Sequence, residues 1–165
     1  MILAIDVYYK QECAKAVGVL FNWDDEQPRE IIIRDSCDVV DYVPGEFYKR
    51  ELPSLLKIIE NIDLNKLEAI LIDGYVYIDN NRTFGLGGIL WEKIDKSVPI
   101  IGVAKTSFFK NKETVAEIFR GESKKPLYIS ALDYPLDIAV KNIENMKGNF
   151  RMPTILKELD KITKA

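Results

Sequence analysis

Apolar residues in this chain fall into short blocks separated by polar, turn-rich stretches. Strand-like blocks come first, from Met1 to Tyr8, Lys15 to Phe21 and Glu30 to Arg34. The second and third are parted by the turn-forming run from Asn22 to Pro28, and connections this short favour antiparallel neighbours. From Glu51 to Ile62 the period changes: Leu52, Leu55, Leu56, Ile58, Ile59 and Ile62 recur at helical spacing. A strand from Leu67 to Ile72 follows, then a loop over 74–82 and a glycine-rich helical stretch from Phe84 to Lys96. Pro99 opens a strand from Ile100 to Ala104. Beyond it the pattern predicts a helix from Lys112 to Phe119, a strand from Pro126 to Ser130 and a helix from Leu136 to Met146. After Gly148 comes a last helix, Thr154 to Ile162. The succession β-β-β-α-β-α-β-α-β-α-α implies an α/β fold, a mixed sheet with helices on its faces. No repeat or linker interrupts it, so residues 1–165 read as one domain.

Two of those strands carry a carboxylate: Asp6 in the first, and Asp73, before Gly74, at the end of the fourth. A carboxylate in an apolar strand is costly to desolvate unless something positive pairs with it. Two in neighbouring strands suggest a divalent metal and phosphodiester chemistry. Asp-Gly also ends strands simply by making a turn, and both readings stand at this point.

Composition narrows the chemistry. The chain has 165 residues, 47% hydrophobic and 30% charged, with a net charge of −3. That is globular composition without an indiscriminate basic surface. There is no histidine, which excludes Ser-His-Asp catalysis and imidazole ligation. Cys13 and Cys37 lack Cys-x-x-Cys spacing and are expected to be free thiols in a reducing cytosol. No basic segment precedes an apolar stretch of signal type, and no apolar run approaches membrane-spanning length. A cytoplasmic location without a membrane partner is therefore the expectation, and nothing in the pattern speaks to oligomeric state.

A meander of three strands followed by strand–helix alternation is the succession of a ribonuclease H-like domain. In that architecture the first strand is central and the fourth lies beside it in parallel, which would bring Asp6 and Asp73 together. Two like charges at contact distance call for a cation, and magnesium prefers such hard oxygen donors. Glu51, at the start of the helix after the meander, could add a third carboxylate; it also fits there as an exposed helix-start residue.

Several segments then resemble the endonuclease V family: Tyr42-Val43-Pro44-Gly45 leading to Arg50-Glu51, Ile72-Asp73-Gly74, and Arg82-Thr83-Phe84-Gly85. Pro99 with Ile101-Gly102-Val103-Ala104-Lys105, and Gly148 with Arg151-Met152-Pro153, resemble two more of its motifs. The resemblance spans the chain in order. It implies a nuclease that cuts DNA or RNA beyond an inosine (hypoxanthine) base. It further implies that Asp6, Glu51 and Asp73 ligate magnesium or manganese, with Lys105 beside the metal as a point charge. Tyr42, Val43 and Pro44 would form a wedge filling the space of an extracted base. Gly45, Gly74 and Gly85 would give backbone groups access to that base. Read without the family, 42–45 is an ordinary turn and Lys105 a solvated strand end.

The sequence also departs from the family pattern. Val76 replaces a glycine, and Asp79-Asn80 replaces His-Pro. The family's Ser-x-Gly-His motif here reads Ser130-Ala131-Leu132-Asp133. Asp133 is expected either to replace the histidine as a catalytic metal ligand or to cap the next helix. The chain starts directly at its first strand, without the family's N-terminal helix, an arrangement expected to leave an edge uncovered. Lys49, Arg50, Lys110, Lys112, Lys124 and Lys125, with Phe108 and Phe109, suit either nucleic-acid contact or a solvated surface. The alternatives to catalysis on inosine are a non-catalytic nucleic-acid-binding module of the same fold and a nuclease with altered substrate choice.

Overall fold

The computed structural model describes residues 1–37 and 48–165. Seven strands form one sheet in the order β3-β2-β1-β4-β5-β7-β6. They are β1 (Ile2–Lys10), β2 (Cys13–Phe21), β3 (Glu30–Ser36), β4 (Ala69–Asp73), β5 (Ile100–Ala104), β6 (Ala116–Ile118) and β7 (Leu127–Leu132). The helices are α1 (Tyr48–Ile59), α2 (Leu86–Lys93), α3 (Leu136–Asn145) and α4 (Thr154–Lys164). The meander β1–β2–β3 is antiparallel, while β1–β4 and β4–β5 are parallel. The expected centre of the sheet is therefore the observed one.

Strand periodicity sorts the core into two layers. Successive residues of a strand point to opposite faces. Ile2 and Ala4 of β1 join Leu71 of β4 and Ile101 and Val103 of β5 beneath α3 and α4. Leu3 and Ile5 join Ile70, Ile72 and Ile100 beneath α1 and α2. Every residue of β5 is buried, as befits a strand covered on both faces.

The helix predicted from Lys112 to Phe119 is not there. Its place is taken by a 3-10 turn, Phe109–Thr114, and by β6, which pairs antiparallel with β7. Ala116 and Ile118 alternate with exposed Glu117, and the free edge of β7 offers this segment backbone partners that a lone two-turn helix would lack. β7 in turn runs antiparallel to β5.

The cysteines are not free either. The β2–β3 register pairs Ala14 with Ser36, so Cys13 and Cys37 face each other one step further on, and they form a disulfide. This removes the thiol-based argument for a reducing compartment. Among the described residues no helix is long and apolar enough to cross a membrane.

Arg120, only 5% exposed, anchors the segment before α4. Its guanidinium donates to the carbonyls of Met146 (2.6 Å), Gly148 (3.0 Å) and Arg151 (3.3 Å), and to that of Phe150. Arg120→Ala leaves these acceptors without their donor and is expected to cost about 3 kcal/mol or more. Urea unfolding measures it; a loss under about 1 kcal/mol would contradict the anchoring role.

Candidate active site

The site is built by register. Ile5 of β1 pairs with Ile72 of β4, so Asp6 and Asp73 stand abreast one step beyond, on strands about 5 Å apart. Both share the parity of Ala4 and Leu71 and so lie on the α4 side. Asp73 pairs with Val103 of β5, which brings Lys105, two residues on, to the same face and the same end. Asp6, Asp73 and Lys105 line one pocket together with Asp160 of α4. Leu156 and Leu159 on the buried face of α4 set the helix on the sheet, and Asp160 is carried to the strand ends with them. Glu51 arrives from the opposite layer, in the first turn of α1.

The electrostatics of the carboxyls run the same way. The Asp6 carboxyl is raised to about 6, first by burial and then by Asp73, with Asp160 adding to the rise and Lys105 opposing it. Glu51 is raised to about 7, again by burial first, while a hydrogen bond with Tyr9 lowers it and Asp6 raises it. The Tyr9 hydroxyl also donates to the Arg50 carbonyl at 3.2 Å, and the Arg50 guanidinium covers the Tyr9 ring at 3.9 Å. Asp73 is raised too, by desolvation with a contribution from Asp160 and against Lys105 and Lys164. More than a third of Asp73 is open to solvent, which makes it the most accessible of the three. Asp160 is held by Lys164 at 3.0 Å.

The sequence reading missed Asp160. On an amphipathic helix, flanked by Lys157, Glu158 and Lys161, it looks like one more solvated charge. Arg151 was recognised only as part of a motif. It donates to the Pro126 carbonyl (3.1 and 2.7 Å) and to that of Lys105, tying down the strand end that carries the lysine.

Among the described residues no three or more acidic, cysteine or histidine side chains stand close enough together to hold a metal ion as they are placed. What fits a divalent cation is the donor chemistry: hard carboxylate oxygens from four separate elements, with Asp73 and Asp160 raising Asp6, Asp160 raising Asp73, and Asp6 and Asp73 raising Glu51.

The sequence model of the Endonuclease V family matches residues 1–161. The chain belongs to the endonuclease V family. The endonuclease V of Nostoc punctiforme is 29% identical over 171 residues, covering 92% of this chain and 76% of that protein. The structure of human endonuclease V superposes with a TM-score of 0.77 at 21% identity, over 99% of this chain and 82% of that one. The Ciona intestinalis enzyme, solved with a 23mer DNA containing an inosine followed by a ribo-adenosine, gives 0.80 at 17% identity, over 99% and 83%. These likenesses establish the ribonuclease H-like fold.

Within this endonuclease V fold the other expected site residues fare unequally. Tyr42, Val43, Pro44 and Gly45 lie outside the described residues. Gly74, at φ +144° with open space where a Cβ would stand, borders the carboxylates, but its amide donates to the Val103 carbonyl at 3.2 Å and is not free for a ligand. Gly85 is buried, and its amide donates to the Val76 carbonyl at 2.8 Å, so it packs the loop and presents nothing to a ligand. Phe108 is exposed beside Tyr75, ring centroids 6.1 Å apart; the side chain of Phe109 lies outside the description.

Asp133 is not brought to the others. Leu132 pairs with Ile100 at the start of β5, whereas Asp73 pairs with Val103 near its end. Asp133 thus sits at the far end of the sheet, exposed, with φ 62° in a tight turn. It does not cap α3 either, whose N-cap is Pro135 without a side-chain hydrogen bond.

The raised carboxyls have a thermodynamic consequence. Their folded values of about 6 and 7 exceed the ordinary 3.8 and 4.5. The native state therefore keeps protons that the unfolded chain has released. This stability is full below about pH 4 and is lost as pH rises through about 7. At about 1.4 kcal/mol per unit we expect a loss on the order of 3 kcal/mol in chelator, less than the summed shifts because the groups titrate together. Magnesium or manganese should restore the melting temperature at pH 7.5. A melting curve flat with pH and indifferent to both cations would contradict this.

Proposed function

We propose that this chain is a divalent-metal-dependent endonuclease that hydrolyses a phosphodiester bond 3′ to inosine in DNA or RNA. The observation that carries the reading is the register that sets Asp6 and Asp73 abreast on β1 and β4, with Asp160 and Lys105 on the same face. Glu51 completes the acidic set from α1. A bound magnesium or manganese would supply positive charge to the scissile phosphate and to the attacking water.

The chain's own groups do the rest. Asp6, Glu51, Asp73 and Asp160, from four elements, are the residues that would hold the cation and so fix where the phosphate lies. The Lys105 ammonium, its backbone tied by Arg151, is a point charge for a phosphate oxygen. Water attacks phosphorus as the bond to the 3′-oxygen breaks. Tyr42, Val43 and Pro44 act as the wedge, with the Gly45 backbone reading hypoxanthine, whose carbonyl and ring N–H need no charged partner, and with Gly74 leaving room beside it.

One observation favours altered substrate choice. Val76, where the family has glycine, is fully buried. Asp79 spends its carboxylate on Asn81 N, Thr83 N and Thr83 Oγ1 at 3.0, 3.0 and 2.6 Å. The loop beside the base is therefore organised by different contacts. Matched DNA and RNA single strands, with and without one inosine, separate the readings. Cutting one bond beyond inosine supports hypoxanthine selectivity, and cutting regardless of inosine means a working centre with a changed reader. Binding without cutting by folded protein points to the non-catalytic module.

A further inference from the structure

We infer that the outer face of α4, together with Phe150, is a single-stranded nucleic-acid subsite that leads into the carboxylate pocket. The inference rests on the nucleic-acid reading above and extends it to a surface that adjoins the carboxylates at Asp160.

Four observations carry it. Lys157, Lys161 and Lys164 recur at spacings of four and three, one stripe of the helix, and all three are exposed. The stripe spans roughly 10 Å, room for about two or three successive phosphates. In a chain whose acidic residues outnumber its basic ones, 26 to 23, a cationic row beside four carboxylates is not what an even spread of charge would give. Second, Phe150 is 61% exposed, and the Lys157 ammonium stands 4.3 Å from its ring centroid. An open ring flanked by a cation is the pairing that stacks a base and neutralises its phosphate.

Third, the ring is presented on a fixed support. Arg120 holds the carbonyls of Gly148, Phe150 and Arg151, and Gly148 takes the turn at φ +108°. A base that stacks there meets a platform already in place. Fourth, the surface is continuous with the active site. Phe150, Lys157, Lys161 and Lys164 line one groove with Glu158 and Asp160, three cations to two side-chain carboxylates; Asp160 also lines the catalytic pocket, and Lys164 joins the two through its 3.0 Å pair with Asp160. A strand on the row enters the pocket without leaving the protein surface.

Fluorescence anisotropy with labelled single-stranded DNA, in calcium so that binding is read without turnover, tests the subsite. Phe150→Ala is expected to weaken binding on the order of ten-fold, with Phe150→Trp retaining it. Lys157→Ala with Lys161→Ala is expected to lower the slope of log affinity against log salt by about 1.4, two phosphates' worth. Lys66→Ala with Lys93→Ala, the same charge change at the other end of the sheet, should leave the slope near that of the parent. Melting temperatures should not move, since all these side chains face solvent. Affinity and slope unchanged in the α4 and Phe150 variants, or changed equally in the control pair, would overturn the subsite. A parent that binds single strands and never cuts them leaves the subsite standing and removes the endonuclease reading. A parent that binds no single strand overturns the subsite, and the endonuclease reading is then decided by the nicking assay.

Discussion

Asp6→Asn is expected to abolish cleavage and, in the same protein, to stabilise the fold in chelator at neutral pH. The two effects share one origin. Asp6 is pressed between burial and the neighbouring Asp73, and its carboxyl is raised to about 6. Ionising it at pH 7 works against folding unless a cation is bound. Asparagine keeps the shape and removes the charge, so the metal-free fold loses a repulsion. The reaction loses a hard oxygen donor at the scissile phosphate, where metal chemistry is worth several kcal/mol of transition-state stabilisation. At about 1.4 kcal/mol per factor of ten, that is on the order of a thousand-fold in rate. Single-turnover nicking and thermal melting on the same preparation read both sides. A variant as active as the parent would end the assignment, and one that melts well below the parent in chelator would show Asp6 to be a structural group.

The second large effect separates two aspartates. Asp160→Asn is expected to lower cleavage on the order of a hundred-fold or more, because the residue lines the pocket with Asp6, Asp73 and Lys105. Asp133→Asn should leave the rate within about two-fold, since Asp133 sits exposed at the far end of β7, out of reach of the phosphate. Asparagine also tolerates the left-handed turn at φ 62°, so the control should fold normally. A reversed ranking would mean that the carboxylate set is drawn from the wrong end of the sheet.

The sequence pointed to Asp133 through the resemblance, because it stands where the family's Ser-x-Gly-His motif has its histidine, and its real place is a matter of strand direction. Asp6 and Asp73 were legible because each is a charge ending an apolar run, and the β1–β4 pairing follows from the order of elements. With a helix from Lys112 to Phe119, the chain would cross over and return parallel, and the residue after the strand would land beside Asp73. Instead this segment is a 3-10 turn and β6, and β7 enters antiparallel to β5. Tyr128 then lies at the catalytic end and Asp133 at the other. The local pattern is ambiguous because a short run of Val115, Ala116, Ile118 and Phe119 suits either period, and only the free edge of β7 decides it. Asp160 was hidden for the opposite reason: its helix was foreseen, but which polar residue faces the strand ends depends on how α4 seats Leu156 and Leu159. The Cys13–Cys37 bridge depended on the β2–β3 register, which short turn-linked strands imply without fixing.

Nicking of an inosine-containing single strand by chelator-treated protein, measured as magnesium or manganese is added back, tests the account most directly. The account predicts no cutting in chelator and recovery of a single cut beyond the inosine with either cation. Undiminished cutting in chelator, or none with either metal from folded protein, would contradict it.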